Sequence, residues 1–186
     1  MKTDDSPATP THTPSGLRRL CRAMQGFALL GAVIVVAGAL WVQVDPSAST
    51  EWARPFRNDG SAAMSDTALR LGAALALLPA VLWLVGLFQL WRLFGLYAQG
   101  AALTAAAQRA LRLVALTVLV AALLRPLYQS LLSVVATIDN PPGQRMLAVS
   151  FGTNDYFLLL LGLVMTVIAT VMADAVRAAE ENRSFV

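Results

Sequence analysis

The chain has 186 residues, of which 57% are hydrophobic and 13% charged, roughly half the charge of a typical soluble domain. Mean hydropathy is +0.62, and the apolar residues gather in blocks long enough to cross a bilayer. A soluble globular fold is therefore excluded, and an all-α polytopic membrane protein with the lipid bilayer as solvent is expected. The pI near 9.6 does not indicate direct nucleic-acid binding, because the basic residues stand at block ends, where orientation explains them.

Residues 1–17, MKTDDSPATPTHTPSGL, are polar and proline-rich, cannot bury enough surface to fold, and read as a disordered cytoplasmic tail. Residues 18–186 form the membrane domain and a short cytoplasmic C-terminal tail. The first apolar block covers about 23–44, preceded by Arg18, Arg19 and Arg22. It is longer than the 7–15 apolar residues usual in a signal peptide, so a retained transmembrane helix is expected. Gly31 and Gly38 lie seven apart on one face and suit a close neighbour.

The connection 45–66 contains VDPSAS and RNDGS, both turn signals, and is too poor in periodic apolar residues to be a domain. The second block covers about 69–94, with Pro79 inside and Trp91 beside Arg92 at its end, a pairing favoured at a membrane–water boundary. YAQGAALTAAAQRALR then predicts a break at Gly100 and a helix restart near Thr104, the Ala-rich stretch extending the third helix. The third block covers about 113–138. DNPPGQR is a sharp turn, since two prolines and a glycine cannot continue a helix. The fourth block covers about 155–174, and four spanning helices result.

Orientation follows from Lys and Arg. One side has Lys2, Arg18, Arg19, Arg22, Arg92, Arg109, Arg112, Arg177 and Arg183. The other has Arg54, Arg57, Arg70 and Arg145 diluted by Asp45, Glu51, Asp59, Asp66 and Asp139. The positive-inside rule then places both termini in the cytoplasm.

Arg125 is the exception to this pattern. It stands within LLRPLYQSLL in the third block, about 18 Å from the block's start at 1.5 Å per residue. An arginine at the helix centre costs about 2.5–3.5 kcal/mol on insertion scales, so a partner is expected. Tyr128, Gln129 and Ser133 continue a polar stripe on the same face, and Pro126 leaves the Ala122 carbonyl without its helical donor. Asp155, at the entry of the fourth helix, is the best carboxylate partner, although it is equally suited to capping its own helix within GTNDYF. Three readings stand: a paired structural arginine, a ligand or ion site, and a snorkelling cation.

Catalysis finds no support. The only histidine, His12, lies in the tail and the only cysteine is Cys21, so neither a metal cluster nor an intrachain disulfide is expected, and no cofactor. Adjacent Glu180 and Glu181 diverge by about 100° on a helix and make no acid–base pair.

DNPPGQRMLAVSF followed by NDYFLLLLGLVMTVIATVMADAVRAAEENRSFV resembles the bacterial membrane family catalogued as domain of unknown function 2975. Its members look like four-helix proteins whose last helix runs into a Glu-Glu-Asn tail closed by Val or Ile. Here those positions are Glu180, Glu181, Asn182 and the terminal Phe185 and Val186. The family's Tyr-x-x-Gly is matched by Tyr97 and Gly100, but Ala102 and Leu103 stand where an aromatic would follow. The resemblance covers about 69–186 by motif and the first helix by topology. It implies a bacterial inner-membrane location and no known activity. It also implies an association with a cytoplasmic helix-turn-helix DNA-binding regulator, which the tail could engage through its acidic patch and apolar end. The expectation is a non-enzymatic interaction or sensing protein, with a small transporter or channel using the Arg125 stripe as the alternative, and self-association open in either case.

Overall fold

A computed structural model of the chain describes residues 15–57 and 63–184, with side chains described at all of these except 15, 48, 49 and 179–184. The described residues contain four long helices, α1 (Ser15–Val44), α2 (Asp66–Ala98), α3 (Ala105–Ala136) and α4 (Thr153–Ser184), and no strand. Each long helix has the length and apolar content to cross a membrane. Every helix begins before its apolar block, because polar flanks with good helix propensity add turns ahead of the hydrophobic stretch, while α3 stops at Ala136, two residues short of the expected end at 138. Thus α1 begins at Ser15, inside the segment expected to be a tail, and residues 1–14 of that segment lie outside the described residues.

The helix ends are set by local chemistry. The Ser65 hydroxyl accepts from the Ala68 amide to start α2, and the Thr104 hydroxyl accepts from the Ala107 amide to start α3. At the end of α2, Gly100 takes φ 77°. The Gly100 amide donates to Tyr97 O and the Ala101 amide to Leu96 O, a Schellman closure that needs a left-handed residue at this position. The Tyr-x-x-Gly motif therefore has a backbone reason. Both Pro79 and Pro126 lie inside continuous helices.

The connection 45–66 is more structured than turn signals implied. Residues Pro46–Phe56 form a 3-10 segment that packs on α1, α2 and α3. Its Ala53 is buried, and the Trp52 ring lies so close over Gly72 that no side chain would fit there. The Asp139 carboxylate, from the turn after α3, accepts from the Ser65 amide at 2.7 Å. It ties the two connections together and puts a negative charge at the start of α2.

The helices pack in sequence as an antiparallel row: α1 on α2, α2 on α3, α3 on α4. Among the described residues α1 and α4 do not touch, so the row is open. Gln25 Nε2 donates to Trp91 O at 3.2 Å and Gln43 Nε2 to Ala73 O at 2.6 Å, joining α1 to α2 near both ends. Gly31 meets Leu87, as its small size suggested, whereas Gly38 faces open space. At Gly162 α4 comes close to α3, where an added Cβ would lie 3.0 Å from the Leu119 backbone. A buried cluster of Leu93, Ala107, Ala110, Leu111 and Ala169 closes the end of the row near Gly100, with Leu96, Tyr97, Met165 and Met172 against it.

Candidate functional site: an arginine–aspartate clasp on α3

Arg125 lies beside Asp155, with Nη1 3.0 Å from Oδ1. The N–H is not aligned for a hydrogen bond, and Oδ1 accepts none, so the interaction is a charge contact. The other carboxylate oxygen, Oδ2, accepts from the Gly152 amide at 2.8 Å. Asp155 is the third residue of α4 and Gly152 its N-cap, which makes this the reciprocal half of a capping box. The sequence suits Asp155 to pairing with Arg125 or to capping its own helix. The structure shows both, one on each oxygen. The guanidinium takes the carboxylate and not the Ala122 carbonyl freed by Pro126.

The pair fixes the register of α3 on α4. Arg125 stands by Asp155 and Leu119 by Gly162, so α4 starts level with Arg125 while α3 continues to Ala136, about 16 Å further at 1.5 Å per residue. That space is occupied by the non-helical segment 145–152, which runs back along α3. Two fully buried hydroxyls hold it. The Ser133 hydroxyl accepts from the Ala148 amide at 2.9 Å and donates to Ser130 O. The Thr137 hydroxyl accepts from the Met146 amide at 3.1 Å and donates to Ser133 O. The side chains of Met146, Leu147, Val149 and Phe151 along it are exposed. Non-helical backbone near a membrane is tolerated where the protein satisfies it, and Ser133 and Thr137 do so here. Ser133 was visible in the sequence as part of a polar stripe; its role as a rung for the returning chain was not.

Arg125 also points where the sequence did not suggest. Residues 7, 11 and 18 apart on a helix fall within about 20° of one another. By that measure Arg125 shares a face with Ala107, Val114, Leu132 and Ala136, all buried. It belongs to the packed face of α3, and its side chain is 36% exposed against 9% for Asp155. Tyr128 and Gln129, one turn further on, are half-buried and have no hydrogen-bond partner among the described residues. The hydroxyls of Thr117, Ser130, Thr166 and Thr170 are satisfied by carbonyls of their own helices. Gln89 on α2, overlooked in the sequence because it carries no charge, has a buried Oε1 with no donor.

Glu180, Glu181 and Asn182 lie in the last turns of α4, with side chains outside the description, and Phe185 and Val186 lie outside the described residues. The Arg125–Asp155 register brings Ala175 level with Ala105, the first residue of α3. Residues 176–184 of α4 therefore extend past that helix. Among the described residues no group of His, Cys, Asp and Glu could hold a metal.

A family described as "Protein of unknown function (DUF2975)" matches residues 24–184. The chain belongs to this family, and the match takes in α1 as well as the motif-bearing α2 to α4. No curated protein and no solved structure matches the chain.

Proposed function

We propose that the protein is a non-enzymatic, multi-pass protein of the bacterial inner membrane, with both termini cytoplasmic. In this reading it acts as an interaction or sensing partner of a cytoplasmic helix-turn-helix transcriptional regulator. Orientation is supported by the end of the molecule near Gly100, which gathers Arg18, Arg19, Arg22, Arg92, Arg109, Arg112 and Arg177, the bias favoured on the cytoplasmic face.

The observation that carries the reading is the continuation of α4 as a helix to Ser184, past the level of the α3 start. It presents a charged helical end where a soluble partner could reach it, in the helix-in-groove manner. In the competing polar stripe, the one charged side chain, Arg125, is paired with Asp155, and Ser133 holds Ala148. Ion relays usually need several intramembrane ionisable groups, so a stripe whose charge is one internal pair favours an interaction protein over a transporter or channel.

The test is co-purification with a helix-turn-helix regulator encoded beside the gene. The full chain should retain the regulator and a chain lacking residues 180–186 should lose it, while both reach the membrane in equal amount. Equal retention by the truncated chain would refute the reading.

A further inference from the structure

We propose that the inner face of α3 binds the phosphate headgroup of a single anionic bilayer phospholipid between Arg125, Tyr128 and Gln129. The exposure pattern along that face defines a recess. At one end Ala107, Ala110, Leu111 and Val114 are buried; at the other, Leu132, Ser133 and Ala136 are buried. Between them Ala122 stays buried, while Val118, Ala121, Arg125, Tyr128 and Gln129 around it are half-buried. The recess is thus closed along the helix axis in both directions. Because neither α1 nor α2 packs on α4 among the described residues, it opens sideways, toward lipid, and a ligand arriving by that route comes from the bilayer.

The chemistry at the recess selects a phosphate. A guanidinium has five N–H donors, and Asp155 engages Arg125 through one nitrogen, in a contact not aligned as a hydrogen bond. The remaining donors form a planar fork suited to a phosphate. The Tyr128 hydroxyl and Gln129 amide flank it one turn away, at i+3 and i+4, and have no other partner among the described residues. Val118 and Ala121 offer an apolar wall for the upper part of an acyl chain. Asp155 opposes the anion and so holds the guanidinium in place while limiting affinity.

The experiment is a lipid titration of the purified full chain in detergent, read by native mass spectrometry. Phosphatidylglycerol, diacylglycerol and inorganic phosphate are the probes. Phosphatidylglycerol should bind one per chain, and diacylglycerol about ten-fold more weakly because it lacks the charge-assisted bonds. Inorganic phosphate alone should not bind. Tyr128→Phe with Gln129→Leu touches no hydrogen bond of the fold and should weaken phosphatidylglycerol several-fold at unchanged melting temperature. Asp155→Asn, which keeps a capping oxygen, should strengthen it. Equal binding of diacylglycerol, an unaffected Tyr128/Gln129 variant, or binding of inorganic phosphate as tight as that of the lipid would each overturn the proposal. None of these outcomes bears on the regulator, whose test reads the other end of the molecule.

Discussion

Asp155 joins two helices with its two oxygens: Oδ1 lies 3.0 Å from Arg125 Nη1 on α3, and Oδ2 accepts the Gly152 amide that opens α4. One side chain thereby sets where α4 begins and which residue of α3 it begins against.

This dual use predicts strong coupling. Arg125→Leu leaves a mostly buried carboxylate without its cation and should cost about 2–4 kcal/mol, somewhat below a fully buried pair because Arg125 is partly exposed. Asp155→Asn retains a capping oxygen and should cost about 1–2 kcal/mol. The double variant should cost clearly less than the sum, by a coupling of about 1 kcal/mol or more in a double-mutant cycle. Thermal unfolding in detergent measures all three.

The hydroxyl rungs make a local prediction. Ser133→Ala leaves the Ala148 amide without its acceptor, and Thr137→Val does the same to the Met146 amide. Each should cost about 1–3 kcal/mol. Hydrogen exchange should show faster opening of 145–152 with little change along α3. Uniform acceleration across α3 would mean that the hydroxyls support the helix and not the returning segment.

Two helical glycines should respond with opposite sign. Gly38→Ala meets open space and should stabilise by about 0.5–1 kcal/mol through lost unfolded-state entropy and better helix propensity. Gly162→Ala would place its Cβ 3.0 Å from the Leu119 backbone, must push α3 from α4, and should lower the melting temperature. Comparing the two melting curves separates the packing effect from helix propensity.

Much of this arrangement was legible in the sequence. Four apolar blocks gave four helices, Gly100 and Thr104 marked the break between α2 and α3, and Asp155 was identifiable as the partner of Arg125. What escaped depends on long-range geometry. That Arg125 belongs to the packed face follows from helix phase only once the burial of Ala107, Leu132 and Ala136 is known. The docking of 145–152 on Ser133 and Thr137 spans 15 and 9 residues and leaves no periodic signature in MLAVSF. The packing of Pro46–Phe56 over Gly72 was hidden because its few apolar residues, Trp52 and Ala53 among them, form no repeat. At the candidate partner-binding tail, the sequence predicts residue types, and the structure adds that helix continues to Ser184.

The functional account rests most directly on which side of the membrane each end of the row occupies. Cys21 is buried and is the sole cysteine, so a Cys21→Ser background accepts single reporters at Thr50, exposed at the Trp52 end, and at Ser184. Intact cells with a sealed inner membrane, treated with a membrane-impermeant thiol reagent, should label Thr50→Cys at once and Ser184→Cys only after that membrane is opened. Labelling of Ser184→Cys without opening the membrane would place the end of α4 outside the cytoplasm and contradict the account.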